Sequence, residues 1–497
     1  MAQRARAPQR YLSTGSAALD EILGGGLPTR SVNVIAGEPG TGKTVFALQV
    51  LFHLARQGYR CLYFTTLSEP AIKLIHYLQT FAFFDQSLLD RQVVFADLGS
   101  ALRTGAEAAL AEVVARVEHD QPDLVVIDSF KAVHDLLSLA AADRVLVYDL
   151  AVQMSGWGAT TLLVGEYSQP EVATQPEFAI ADGIIRLVNE PQGLIAVRMT
   201  EVLKMRGQPY VTGRHFFEIA PDGLRFYPRV RAPDGSGAPF RGDERASTGV
   251  DGLDDALGGG LPRSSSTLIE GGTGTGKTLL GLSFLLAGAA RGEAGILLTL
   301  EETPQQIRWV ASHFGWDLAR LEAEGLLSIG YTPPVELSTD QFLDQAIDQV
   351  RTLGARRAVL DSLSSLSVSI PSERRYKELV FALCKHYSAL GVTLLMTLEV
   401  PELLGSTQLA GHGVSSLSDN VIGLRYVEVD ERLDRAIYVL KARGIKHDTA
   451  LHQLLVDSAG VRLGSPFRAG RGVLSGGPAS DNAVTGEAIV AASGDIT

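Results

Sequence analysis

Cysteine is almost absent from this sequence. The two residues Cys61 and Cys384, in a chain of 497, propose neither a disulfide framework nor a metal site, and they suit a reducing compartment such as the cytoplasm. No run of about 18 apolar residues occurs, so no membrane span is expected. The stretch Met1 to Arg10 is basic and polar and has no apolar core of a signal peptide; it reads as a loose arm. Cationic excess is lacking as well. A formal net charge of −12 argues against a generally basic nucleic-acid surface, although a local channel would be hidden in the sum. The rest is ordinary for a soluble globular protein, with 45% hydrophobic and 20% charged residues.

Glycine, by contrast, is plentiful, and its placement is informative. Gly37–Glu38–Pro39–Gly40–Thr41–Gly42–Lys43–Thr44 matches the phosphate-loop pattern G-x-x-x-x-G-K-[ST] at every fixed position. It lies between a β-prone segment, Ser31 to Ala36, and a helix-prone one, Val45 to Leu51. Glycines let the backbone curl until its N–H groups face an anion, and the helix N-terminus adds partial positive charge. Lys43 can then reach the terminal phosphates, and the Thr44 hydroxyl can ligate Mg²⁺. A second complete copy is Gly271–Gly272–Thr273–Gly274–Thr275–Gly276–Lys277–Thr278.

Lys277 lies 234 residues after Lys43, and the repeat extends beyond the loops. The same offset carries Ser13–Thr14–Gly15 onto Ser247–Thr248–Gly249, and Gly24–Gly25–Gly26–Leu27–Pro28 onto Gly258–Gly259–Gly260–Leu261–Pro262. A period this long is a duplicated domain rather than a solenoid repeat. Domains are expected at 11–227 and 247–463, joined by a Pro- and Gly-containing linker at 228–246. Residues 464–497, poor in large apolar side chains, read as a disordered tail. Within the first half, Arg60–Thr66 and Val93–Ala96 read as strands, and Pro70–Thr80 and Ala106–Glu118 as helices. That alternation implies an α/β fold, a mostly parallel twisted sheet with flanking helices. Ile184–Val188 and Leu194–Val197 follow as an antiparallel pair, with a turn at Pro191–Gln192–Gly193.

Two apolar strands end in a carboxylate, at Asp128 and at Asp361, as a Mg²⁺-holding Walker B segment does. The strand Ile296–Leu300 runs into Glu301–Glu302–Thr303–Pro304. Two carboxylates there are placed to accept a proton from an attacking water or hydroxyl. The competing reading is an acidic helix start. In the first half Ser68 is read in the place of Glu301, with Glu69 beside it. One carboxylate is then missing, and slow turnover is expected of that half. Lys204–Met205–Arg206–Gly207 and Lys441–Ala442–Arg443–Gly444 each set Lys and Arg on one face of a strand. They could reach a phosphate on a neighbouring subunit, as an arginine finger does, or simply solvate an edge strand.

With these residues in order, the chain resembles the KaiC family of double-domain RecA-like ATPases. The carrying segments are the paired Gly-Gly-Leu-Pro stretches, both P-loops, Glu301–Glu302–Thr303–Pro304, Asp128 and Asp361, both Lys-x-Arg-Gly segments, and Val414–Ser415–Ser416–Leu417–Ser418–Asp419. The resemblance implies tandem RecA-like P-loop domains and a homohexameric double ring that binds Mg-ATP at subunit interfaces. It favours the finger role for Lys204, Arg206, Lys441 and Arg443. It further implies ATPase activity, and autophosphorylation in the second half at Ser415 and Ser416, with Glu301 as the base. Here Ser416 stands where the family has Thr. A nucleotide-gated ring serving as platform for a signalling partner is the first rival reading. A RecA-like motor acting on DNA is the second, against which the acidic balance argues.

Overall fold

The computed structural model describes residues 11–66, 71–138, 153–154, 156, 158–192, 195–233, 242–334, 338–370, 372–400, 411–429, 432–458 and 460–467. The chain divides into two compact units, between Arg229 and Val230.

Each unit is built on one nine-stranded sheet. In the first the order is Val93–Asp97, Cys61–Thr65, Leu124–Asp128, Thr160–Glu166, Val32–Gly37, Gly183–Gln192, Ile195–Met205, Arg214–Ala220 and Gly223–Tyr227. The first six strands pair in parallel, and the last three extend the sheet antiparallel. Val32–Gly37 is buried at all six residues, as expected of a central strand with both faces covered. The second unit repeats the order with Leu327–Tyr331, Gly295–Thr299, Arg357–Asp361, Thr393–Glu399, Ser266–Gly271, Asn420–Val429, Arg432–Ala442, His452–Asp457 and Gly460–Pro466. Helices Lys43–Arg56 and Lys277–Ala289 begin at the P-loops and bury most of their apolar residues against these sheets.

The short sequence repeats have a hydrogen-bonding cause. Asp20 accepts from the Ser13 hydroxyl at 2.7 Å, the Thr14 amide at 2.8 Å and the Thr14 hydroxyl at 2.7 Å. Asp254 repeats the knot with Ser247 at 2.6 Å and with the Thr248 amide and hydroxyl at 2.7 Å. A half-buried carboxylate needs such donors, which accounts for Ser, Thr and Asp at these spacings.

Three boundaries differ from the sequence reading. Pro191 and Gln192 belong to the strand Gly183–Gln192, paired with Ala196 and Ile195, so the chain reverses later than the expected turn; Gly193 lies outside the described residues. From Val230 on, residues near both ends of the stretch taken as linker are bound into the second unit. The Val230 amide donates to Asp340 at 3.0 Å, the Arg231 carbonyl lies 2.7 Å from His386 Nε2, and Arg245–Ala246 pairs with Leu261–Pro262. The last strand runs to Pro466, three residues past the expected domain end, because Val461, Arg462 and Leu463 continue the ladder of His452–Asp457. The arm at 1–10 and the tail beyond Phe467 lie outside the described residues.

Cys61 and Cys384 are both buried, and burial pushes each thiol up to about 12. Native protein at pH 8 is therefore expected to react with an aromatic disulfide reagent only at the rate of unfolding. A fast stoichiometric burst would contradict the core placement of both side chains. No described helix is long and apolar enough to cross a membrane.

Candidate active sites of the two ATPase domains

The P-loop of the second unit joins the central strand Ser266–Gly271 to the helix Lys277–Ala289. Gly276, at φ 107°, turns the chain into that helix from the left-handed region, where a side chain would be strained. Lys277 folds back over the loop, and its Nζ donates to the carbonyls of Gly271 at 2.9 Å and Gly272 at 2.8 Å. Burial lowers its pKa, and Glu399, Asp361 and Glu301 act in the opposite sense. The Thr278 hydroxyl donates to Asp361 Oδ2 at 2.7 Å, and the Thr397 hydroxyl donates to Oδ1 of the same carboxylate. Burial pushes the Asp361 carboxyl upward.

The strand next to Asp361 delivers the paired glutamates. Thr299 pairs with Asp361, so Glu301 and Glu302 follow just beyond the sheet's carboxyl edge. The helix Pro304–Ser312 starts after them, N-capped by Thr303, with Gln306 completing a capping box. The glutamates therefore stand outside that helix, and the acidic-helix-start reading falls away. Glu301 Oε1 accepts from the Ser362 hydroxyl at 2.6 Å and from the Ser365 hydroxyl. Glu302 is held by its backbone, its amide donating to Thr299 Oγ1 at 3.2 Å. Its carboxyl is pushed up by burial, then by Asp361 and Glu301.

The first unit repeats the phosphate half of this arrangement. Gly42 enters the helix Lys43–Arg56 at φ 97°, Lys43 Nζ donates to the Glu38 carbonyl at 2.8 Å, and the Thr44 hydroxyl donates to Asp128 Oδ2 at 2.7 Å. Tyr63 donates a second hydroxyl to that oxygen, also at 2.7 Å. A cavity of about 760 Å³ opens here, lined by Lys43, Thr44, Asp128, Lys131 and Glu166 among others. Burial lowers the Lys43 pKa against the nearby carboxylates of Glu166, Asp128 and Glu38.

The catalytic half is not repeated, and the strand register corrects the sequence reading. Thr65 pairs with Asp128 as Thr299 pairs with Asp361. Four residues separate Thr65 from Pro70 and four separate Thr299 from Pro304, so nothing is inserted between strand and proline. Leu67 therefore matches Glu301, and Ser68 matches Glu302. The placement of Ser68 opposite Glu301 was one residue out, and both positions of the pair lack a carboxylate. Glu69 falls at the position of the cap residue Thr303. Leu67, Ser68 and Glu69 lie outside the described residues.

The basic doublets are tied down within their own units. Lys204 Nζ donates to the carbonyls of Phe178 and Ala179, and Arg206 lies 3.3 Å from Asp182. Lys441 donates to the carbonyls of Ser415 and Ser418, and Arg443 lies 3.5 Å from Asp419. Both arginines remain largely exposed. Ser416 is exposed, its hydroxyl donating to the Gly413 carbonyl at 2.8 Å.

The sequence reading takes Thr160–Glu166 as a strand with an acidic end but gives neither Glu166 nor Glu399 a role in the site. Each ends a seven-residue strand at one register, opposite the last P-loop-strand glycine, Gly37 or Gly271. The parallel run of Thr160–Glu166 and Thr393–Glu399 was a usable signal. Glu399 accepts from the Thr273 hydroxyl at 2.6 Å, and Pro39 at the matching place offers Glu166 no such donor.

A family model described as "ATPase: KaiC" matches residues 12–231 and again 246–466. The chain belongs to the KaiC ATPase family. Its two units are accordingly tandem RecA-like α/β domains, and the P-loop sites above are those of a KaiC-family ATPase. Among similar proteins, one named "Circadian clock oscillator protein KaiC" from Picosynechococcus sp. is 29% identical over 474 residues, covering 93% of this chain and 90% of its own. Another of that name from Thermostichus vulcanus is 29% identical over 490 residues, 96% and 93% of the two chains. "Circadian clock protein KaiC3" from Synechocystis sp. is 30% identical over 483 residues, 94% of each.

Proposed function

We propose that the protein is a ring-forming, Mg-ATP-dependent ATPase and serine autokinase whose second domain performs most of the chemistry. The observation that carries this reading is the convergence of Lys277, the Thr278–Asp361 pair and Glu301 at one sheet edge. Lys277 neutralises the terminal phosphates. The donor set of one hydroxyl and one carboxylate in each domain, Thr278 with Asp361 and Thr44 with Asp128, suits Mg²⁺, which keeps waters and phosphate oxygens as its other ligands. When bound, the ion would neutralise developing charge on the phosphates. Glu301 takes the proton of the attacking oxygen. With water as nucleophile, the new O–P bond releases ADP and phosphate; with a serine hydroxyl, it leaves phosphoserine and ADP.

The acceptors are Ser415 and Ser416. Support comes from exposure of the Ser416 hydroxyl and from Lys441, a cation of the finger pair, bound to the Ser415 carbonyl. A ring would bring Lys204, Arg206, Lys441 and Arg443 to the nucleotide of the adjacent copy. In the first domain the Leu67–Ser68 positions support a second reading, restricted to that domain: a nucleotide-gated assembly platform for a signalling partner, with little turnover of its own.

ATP labelled at the γ-phosphate tests both activities. Wild-type protein is expected to release labelled phosphate and also to retain label, and Ser415→Ala/Ser416→Ala is expected to lose at least about nine-tenths of the retained label while still releasing phosphate. Retained label unchanged in the double variant would remove the acceptor assignment. Phosphate release without retained label in the wild type would reduce the protein to an ATPase.

A further inference from the structure

We infer that Ser365, together with Ser362, is a positioning residue for the general base Glu301, and that this hydroxyl pair is part of what separates the turning-over domain from the quiet one. The inference rests on the proposed role of Glu301.

Both hydroxyls converge on a single oxygen of Glu301. Ser362 Oγ donates to Oε1 at 2.6 Å, Ser365 Oγ donates to the same atom, and the two hydroxyl oxygens stand 3.5 Å apart. Oε2 takes no hydrogen bond from a described residue. One oxygen is therefore anchored while the other stays available to receive a proton. A carboxylate on a chain of freely rotating bonds is a poor base when its orientation is left open, because each productive encounter must select one rotamer. Two donors on one oxygen remove that freedom before substrate arrives, as preorganised polar groups do in other catalytic sites. Glu301 is exposed and lies outside any helix or strand, so backbone structure alone does not fix its side chain.

The position of the two serines suits the task. Ser362 directly follows the Walker carboxylate Asp361, and Ser365 sits in the first turn of the helix Leu363–Ser369. The clamp thus ties the base to the strand that presents Asp361. Ser362 is buried and also caps that helix, its hydroxyl accepting from the Ser365 amide. Ser365 has no capping duty through its side chain, which makes it the cleaner probe.

The first domain supplies an internal comparison. One and four residues after Asp128 stand Ser129 and Ala132, where one and four after Asp361 stand Ser362 and Ser365. The second hydroxyl is gone in the domain that has Leu67 at the position of Glu301. Carboxylate and clamp are present together in one half and are incomplete together in the other.

The test uses the full-length chain and steady-state ATP hydrolysis, with binding of a fluorescent ATP analogue measured in parallel. Ser365→Ala is expected to lower kcat about tenfold, with KM and analogue affinity within about twofold, because a hydrogen bond to a charged group is lost without disturbing the P-loop. Ser365→Thr, which keeps the hydroxyl, is expected to recover most of kcat. Adding Ser365→Ala to Glu301→Gln is expected to cost nothing further, since residues acting as one unit are not additive. Wild-type kcat in Ser365→Ala while Glu301→Gln is inactive would overturn the clamp and leave the base in place. So would a loss in Ser365→Ala that Ser365→Thr does not recover. Full activity of Glu301→Gln would instead overturn the base assignment, and the clamp with it.

Discussion

Replacing Glu301 by Gln is expected to cut ATP turnover by about 100-fold or more while nucleotide affinity stays within a few-fold of wild type. General-base contributions are of order 10² to 10⁴. The amide keeps the size and the acceptor oxygen that Ser362 and Ser365 hold, so the site's packing is preserved. It cannot take a proton at neutral pH. Lys277, Thr278 and Asp361, the groups we assign to Mg-ATP binding, are untouched, which is why binding is expected to persist. Phosphate release under saturating Mg-ATP gives turnover, and equilibrium titration with a fluorescent analogue gives affinity. The size of the fall carries extra information. With Leu67 and Ser68 at the paired positions, the first domain is not expected to sustain the activity that the second loses. Retention of a third or more of wild-type turnover would show that the first domain hydrolyses ATP by another carboxylate, and Glu166, facing Lys43 in the cavity, would be the residue to substitute next.

Arg357→Ala is expected to destabilise the second domain by about 3–5 kcal/mol, the usual cost of breaking a buried ion pair from one side. Arg357 opens the strand that ends in Asp361, and its side chain is fully buried. Its Nε donates to Glu293 at 2.8 Å, and Nη1 donates to the carbonyls of Ser247 at 2.7 Å and Phe284 at 2.8 Å. The guanidinium also lies 4.7 Å from the centre of the Phe284 ring. Gly288 leaves the room it needs, since a Cβ there would come within 2.5 Å of Arg357 Cδ. Truncation would remove the side-chain donor from the Ser247 and Phe284 carbonyls, open a cavity and leave Glu293 paired with Arg263 alone among the described residues. The first domain has Leu124 at the corresponding place, opening the strand that ends in Asp128, and an apolar side chain there makes no such hub. Calorimetry is therefore expected to show one transition moved down by about 10 °C and the other in place. A shift below about 2 °C would mean that the cluster contributes little.

The two expected results draw on different kinds of legibility. P-loops could be read from sequence because a phosphate cradle demands glycines, a lysine and a hydroxyl at fixed spacing on one continuous segment. The Walker carboxylates were readable because each ends an apolar strand. The Glu pair was recognisable by position, yet its first-domain counterpart was misplaced by one residue. The 234-residue offset of the repeat already sets Leu67 opposite Glu301, and the pairing of Thr65 with Asp128 and Thr299 with Asp361 gives the same register; a one-residue slip in a strand changes which side chain reaches the site. Arg357 was invisible for a similar reason. A charged residue opening a strand reads as surface, and only the packing of Glu293, Phe284 and the Ser247 carbonyl around it shows a buried hub.

By itself, then, the sequence determined the duplication, the α/β class with its mostly parallel sheets, the two phosphate loops, and the carboxylates that end core strands. These depend on local spacing and on periodicity, which a single segment carries whole. The tertiary structure alone decided which strand lies beside which, and hence that Glu166 and Glu399 stand opposite the P-loop glycines and that Ser362 and Ser365 meet on Glu301. Those residues are tens to more than a hundred positions apart. Their meeting depends on the order in which parallel strands are laid into the sheet, and no local pattern encodes that order.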